Sequence, residues 1–389
     1  MADLNSASSS CDWSRLREQM PVARKWAYFD HAAVAPLPTA TQQAMTTWVN
    51  EAAENGDAVW PNWARRLESL RNSAATMISA SPNEIALVPN TTAGITLVAE
   101  GFPFQEGDNV VTLANEFPSN LYPWMAQSYR GVEVRRVAVE DGVVDLARLE
   151  AACDQRTRII SVSWIGYGAG WRLNPADVAD IAERVGALFF LDAIQGLGVF
   201  PLDVSSIKVD FLAADGHKWM LGPEGAGLFY CRQEHLDTLR PVGIGWNSVV
   251  HRYDFKRVEM TPREAASRYE GGTYNMAGFH GLAASLELLQ EFGVTPERSA
   301  VAERILNLTD YACEELQSAG AKVLTNRSPQ NRSGIVVFDV PGHDPSEVRS
   351  KAFDAGIVTS CRGGGLRISP HAYNDQSDIQ RLVEVLREL

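Results

Sequence analysis

Cysteine is scarce in this chain. Cys11, Cys153, Cys231, Cys313 and Cys361 are spread over 389 positions, an odd number without close pairs, which excludes a disulfide framework and the spacings of a zinc site. The seven histidines do not fall at ligand spacings either, so no metal is expected. No stretch is apolar for long enough to span a bilayer, and the opening MADLNSASSSCDW lacks the basic segment and apolar block of an export signal. Positive charge is the minority: 35 lysines and arginines against 48 aspartates and glutamates give a formal charge of −13. That sign repels phosphate backbones and anionic headgroups, which argues against nucleic acid or membrane as a partner. No G-x-G-x-x-G sits between a strand and a helix, and no repeat or low-complexity linker stands out, so a dinucleotide fold falls behind other α/β folds. A soluble protein of the reducing cytoplasm is the expectation.

What is present is a globular composition, 45% hydrophobic and 21% charged, on a chain longer than one core normally holds, so two domains are expected. EIALVP (84–89), NVVTLA (109–114), RIISVSWI (158–165), ALFFLDA (187–193), VDFLAAD (209–215) and AGLFYCR (226–232) are β-rich runs separated by helical spacing. NPADVADIAERVG has proline at its start and glycine at its end, the polarity of a helix. Strands this apolar imply a sheet covered on both faces, hence a mostly parallel α/β sheet. From about residue 270 the texture changes to amphipathic helices (HGLAASLELLQEFG, VAERILNLTDYACEELQSAG) with the strand-like SGIVVFDV and LRISP and a closing helix DIQRLVEVLREL, a smaller α+β domain. The expected division is an N-terminal segment of 1–30 packing on the small domain, a large domain of 31–265 and a small C-terminal domain of 266–389.

FLAADGHKWMLGPEGAGLFY sets Lys218 after a histidine and before a glycine-rich run. A lysine that forms a Schiff base with an aldehyde cofactor needs two helpers. Backbone amides and hydroxyls at a helix start would hold the cofactor's phosphate, and NTTAG, with Thr91 and Thr92, offers that junction. A carboxylate must keep the ring nitrogen protonated, and Asp192 ends the apolar strand ALFFLD at the edge where open α/β sheets place ligand groups. Lys218 lies just past another such strand, so both residues can face one crevice.

These motifs resemble a known family. FLDAIQGLGVFPLDV followed by DFLAADGHKWMLGPEGAG is similar to the signature of class V aminotransferases, the fold-type I pyridoxal-phosphate enzymes that include cysteine desulfurases, kynureninases and isopenicillin N epimerases. The resemblance runs from YFDHAAVAPLP (28–38) to LRISPHAYN (366–374). It implies pyridoxal 5'-phosphate as cofactor, a Schiff base at Lys218 with His217 beside it, Asp192 on the pyridinium, Gln195 near the phenolic oxygen, and Thr91 and Thr92 on the phosphate. Phe117, in NEFPSN, takes the place of the ring-stacking residue, where cysteine desulfurases have histidine and kynureninases phenylalanine. Trp246, in GIGWN, is similar to a kynureninase tryptophan that reaches a phosphate. Asp215 stands where desulfurases have a phosphate-binding serine, and an ionised carboxylate there would repel phosphate. Gly272 and Thr273, in RYEGGTYN, match the segment that family members extend to the other subunit's phosphate, which implies a homodimer with a shared site. Arg367, in LRISPHAYN, matches the arginine that clamps the substrate carboxylate, so an α-amino acid is implied as substrate. His31 lines the substrate pocket or caps a turn.

The reaction after loss of the α-proton stays open at this level. A carbon–sulfur lyase of the desulfurase type, a transaminase and a kynureninase-like β-lyase are one group. An epimerase needs a second acid, for which His31, Tyr167 and Tyr274 are candidates, and a non-catalytic relative would keep only the fold. Cys361 lies close before Arg367, too close for the long loop that carries the active cysteine in type II desulfurases, and TSCRGGG reads as a strand end and a tight turn around an inert thiol. Each residue also has an ordinary use: Asp192, Thr91 and Thr92 as helix or turn caps, Phe117 as core, Arg367 as half of a surface ion pair.

Overall fold

The computed structural model describes residues 11–389. Seven strands form the central sheet: β1 (Ile85–Val88), β2 (Asn109–Leu113), β3 (Glu133–Val137), β4 (Thr157–Ser163), β5 (Leu188–Asp192), β6 (Phe211–Asp215) and β7 (Gly227–Cys231). Their order is β1-β7-β6-β5-β4-β2-β3. β7 runs antiparallel to β1 and β6, and the remaining pairs are parallel. Because side chains alternate along a strand, both faces bury apolar groups: Phe189 and Leu191 join one core, Phe190 and Phe211 the other. The six β-rich runs read from the sequence correspond to β1, β2 and β4–β7. β3 carries two arginines and is mostly solvent-accessible, the signature of an edge strand that apolar patterning does not detect.

Helices cover both faces. α1 (Thr39–Asn55) and α2 (Trp60–Met77) have no counterpart in the motif reading, although Trp63, Leu67, Leu70 and Ala74 of α2 are buried at helical spacing. α3 (Thr91–Gly101) starts at Asn90, whose side chain accepts from Ala93 N. It lies so close to the sheet that a Cβ at Gly94 would stand 2.6 Å from the Ala213 Cβ; glycine is what lets this helix end reach the strand edge. α4 (Pro175–Val185) is capped by Asn174 and stopped by Gly186 at φ 72°, as its proline and glycine indicate.

α5 (Met276–Glu291) follows, then α6 (Ala300–Ser318), α7 (Pro345–Asp354) and α8 (Gln376–Arg387). A second, antiparallel sheet has the order β8-β9-β11-β10, with β8 (Lys322–Val323), β9 (Val336–Asp339), β10 (Ser360–Arg362) and β11 (Gly365–Ile368). Leu308, Phe338, Ile368 and Leu382 share its core with Ala27 and Phe29, and Ala27–Tyr28 pairs in parallel with Ile357–Val358. α5, although it follows residue 265, packs on α1 and α2 and places Leu282, Leu286 and Leu289 in the core of the large sheet. Among the described residues no helix is long and apolar enough to cross a membrane.

Candidate active site

The carboxyl ends of β4, β5 and β6 open on a cavity of about 340 Å³. Ten of the residues singled out from the sequence line it: Thr91, Thr92, Phe117, Tyr167, Asp192, Gln195, Asp215, His217, Lys218 and Arg367. Lys218 is buried, and burial, opposed first by Asp192, pushes its ammonium down to about 8. Its Nζ stands 5.7 Å from the centre of the Phe117 ring. Asp192 is 2% exposed and accepts from Ile194 N at 3.2 Å. Burial pushes its carboxyl up to about 6, with Lys218 acting the other way, so this carboxylate is short of positive charge.

The neighbours are fixed by well-formed bonds. Gln195 Nε2 donates to Ala32 O at 3.0 Å and its Oε1 accepts from Trp219 Nε1 at 2.6 Å. Thr91 Oγ1 accepts from Asp215 N at 2.9 Å, which ties the start of α3 to the end of β6. Thr92 Oγ1 donates to Ser119 Oγ at 2.8 Å. Asp215 Oδ2 and His217 Nδ1 are 2.9 Å apart, but the ring N–H direction misses the carboxylate and Asp215 Oδ1 stays buried without a partner. Arg367, 2% exposed, donates from Nη2 to Asp30 Oδ1 at 2.9 Å, from Nη1 to Tyr167 O at 2.8 Å and from Nε to Ser360 Oγ at 3.2 Å.

Other sequence-derived residues lie elsewhere. His31 is fully buried behind the cavity wall formed by Ala32 and Ala33. Its Nδ1 is 2.8 Å from Ser369 O, and burial lowers its pKa, so its ring holds two chain segments together. Gly272 and Thr273 line an adjoining, larger hollow of about 650 Å³ that shares Asn90 and Thr92 with the cavity. Trp246 lines a third hollow, near Tyr253 and Phe255. Tyr274 donates to Glu270 Oε2 at 2.5 Å in a buried network with Arg71 and Asn247, away from Lys218, whereas Tyr167 lines the cavity edge-on to Phe117.

None of the five cysteines lines the cavity. On β10, Ser360 bonds Asp30 and Arg367 and Arg362 reaches the cavity. Cys361, between them, points to the opposite face, where its Sγ donates to Pro345 O at 3.4 Å and burial pushes the thiol up. Residues that the motifs did not bring out complete the site: Ser119, Ser163, Arg362 and Asp30, with Glu116 beneath Ser163. Ser163 and Glu116 follow the same strand-end rule that found Asp192, so a signal for them was present.

The donor set suits a planar, phosphate-bearing aldehyde with a basic ring nitrogen. One cavity is lined by a helix start with two hydroxyls, a charge-starved carboxylate and an amine with a depressed pKa. Asp215 is the member that fits least, since its backbone is bonded to Thr91 at the helix start and its Oδ1 is buried without a partner, so that a carboxylate stands beside the residues offered to a phosphate.

A mostly parallel sheet carrying a buried lysine and carboxylate at its carboxyl edge defines an α/β enzyme of fold type I. The family model of aminotransferase class-V matches residues 27–382, and the chain belongs to that family. A protein of Methanothermobacter thermautotrophicus named probable cysteine desulfurase is 33% identical, with 96% of this chain and 97% of the relative covered. Two solved structures of C-DES are also similar. One is a mutant with glycine covalently linked to the PLP cofactor, at TM-score 0.89 and 25% identity, covering 96% of this chain and 99% of that one. The other is the cystine C–S lyase in complex with its reaction product cysteine persulfide, at TM-score 0.88 and 25% identity, covering 95% and 99%.

Proposed function

We propose that this chain is a pyridoxal-phosphate-dependent lyase that cleaves the carbon–sulfur bond of a sulfur-bearing α-amino acid and releases the sulfur in a small-molecule product. The observation behind this reading is a cavity in which Lys218, Asp192 and Arg367 converge and which no cysteine lines. When bound, the cofactor supplies an aldehyde for Lys218 to hold and a ring that withdraws electrons from the substrate's α-carbon. Arg367 fixes the substrate carboxylate by paired N–H bonds and thereby orients the α-carbon. Lys218, with its ammonium pushed down to about 8, is partly neutral near pH 7 and takes the α-proton. Asp192 holds the ring nitrogen in its cationic form, Gln195 serves the phenolic oxygen, and Phe117 covers the ring and excludes water. His217 stands beside the base, and Thr91 and Thr92 at the start of α3, with Ser119 bonded to Thr92, receive the phosphate.

The fate of sulfur follows from the missing thiol. A desulfurase that passes sulfur to its own cysteine leaves alanine, because the bonding electron pair stays on carbon. With no thiol in the cavity, sulfur leaves with that pair, and the carbon skeleton ends as pyruvate and ammonia once water adds. The test is incubation of the holoenzyme with cysteine and with cystine. Pyruvate alongside sulfide or persulfide is expected; alanine as the main product, lost in Cys361→Ala, would overturn the reading. Epimerisation is a second reading, supported by Tyr167 in the cavity, and a racemised substrate without pyruvate would favour it.

The same proposal includes a homodimer in which Gly272 and Thr273 serve the neighbouring site across the adjoining hollow. It includes a cytoplasmic location, supported by five free cysteines. We also propose that the large domain extends through α5, since that helix shares its core.

A further inference from the structure

Beside the cavity, bonded to its lining residue Ser163, lies a further buried carboxyl. Glu116 is 5% exposed. Its Oε1 accepts from Ser163 N at 2.7 Å, and its Oε2 is hydrogen-bonded to Ser163 Oγ. Asn120 lies beside the same carboxyl, its amide nitrogen without an aligned hydrogen bond. No lysine, arginine or histidine forms a salt bridge with it among the described residues. The charged group that acts on it is Asp192, whose position pairs with Ser163 across β4 and β5. Paired positions on adjacent parallel strands point their side chains to one face, about 5 Å apart. Glu116, Ser163 and Asp192 therefore stand in a row across the strand ends, and Ser163 and Asp192 both line the cavity.

Two buried carboxyls this near each other do not both ionise when a single ammonium, that of Lys218, is close to only one of them. Asp192 is the one beside Lys218. We propose that Glu116 is a positioning residue: a neutral carboxylic acid whose O–H donates to Ser163 Oγ, so that the Ser163 hydroxyl turns its own proton toward Asp192 and supports that carboxylate in its ionised form. Were Glu116 ionised instead, it would capture the Ser163 proton and add a second negative charge behind Asp192. Burial pushing the Glu116 carboxyl up to about 8 agrees with the neutral assignment. The role rests on the pyridoxal-phosphate reading only through Asp192; the proton on Glu116 is a property of the cofactor-free chain.

The experiment begins with the apo protein. Infrared spectra near pH 7 are expected to show the carbonyl stretch of a protonated carboxyl that persists in Asp192→Asn and disappears in Glu116→Gln. Absence of this band from the wild type, or its survival in Glu116→Gln, would overturn the assignment. The second measurement is pyridoxal phosphate affinity with the pH titration of the bound cofactor's absorbance. Ser163→Ala and Glu116→Leu are expected to bind about tenfold more weakly and to lose the ring-nitrogen proton at lower pH. Glu116→Gln offers a carbonyl to Ser163 N–H and an N–H to Ser163 Oγ, and is expected to recover both readouts to within about twofold of wild type. Failure of that recovery in a folded protein would also overturn the role. A protein that binds no cofactor would sink the function proposed above while leaving the infrared result to judge Glu116.

Discussion

Arg367 and Asp30 form an ion pair at 2.9 Å between residues 337 positions apart, and the pair flanks the cavity of Lys218. Asp30 thus orients the guanidinium before any substrate arrives, and a bound carboxylate joins an existing pair. Arg367→Lys removes the paired donors, and its KM is expected to rise ten- to a hundredfold, on the order of 1.5–3 kcal/mol, with cofactor absorbance unchanged. Asp30→Ala leaves a buried cation alone and is expected to lower stability by about 2 kcal/mol, between the exposed and buried limits, as read by denaturant unfolding.

Lys218 sets a pH dependence. An amine attacks an aldehyde only when neutral, so capture of pyridoxal phosphate by the apo protein is expected to quicken roughly tenfold from pH 6 to 7 and to level off above about 8. The folded pKa lies below the ordinary lysine value of 10.5. The ammonium therefore costs stability below about pH 8, and that cost is relieved as the pH rises from about 8 to 10.5. Rapid-mixing absorbance checks the first statement; a rate that stays flat from pH 6 to 8 contradicts it. Lys218→Ala is expected to lose the visible band and turnover together.

Cys361 offers a negative control. Its thiol points to Pro345 O and away from the cavity, so Cys361→Ala is expected to retain activity within about twofold, since surface changes that touch no special contact are mild. A tenfold loss of turnover in a folded variant would show that the strand rearranges to bring the thiol in.

Thr92 separates the phosphate from the ring. Thr92→Val removes a hydroxyl at the start of α3 and is expected to weaken pyridoxal phosphate binding about tenfold while leaving pyridoxal, which has no phosphate, unaffected. Equal weakening of both ligands would place Thr92 elsewhere on the cofactor.

Legibility followed the physics of each residue. Asp192, Lys218 and Thr92 were readable because strand ends and a helix start carry chemistry in fixed sequence contexts. Arg367 was readable only through family resemblance, since its partner Asp30 is remote in sequence. β3 escaped because its exposed arginines break the apolar pattern. α1 escaped because a single residue, Thr41, is buried along it. His31 sits beside the site in sequence but behind its wall in space, as a ring without a strand-end position gives no direction in the sequence. Glu116 obeys the strand-end rule, but its partner Ser163 is 47 positions away in sequence, and no local pattern announces that bond.

The parallel pairing of Ala27–Tyr28 with Ile357–Val358 brings Asp30 to a residue translated hundreds of codons later. During synthesis the lysine and its carboxylate neighbour leave the ribosome well before the group that grips the substrate. A nascent chain can thus complete its large sheet while still unable to hold an amino acid, and competence to react arrives with the last sheet to fold.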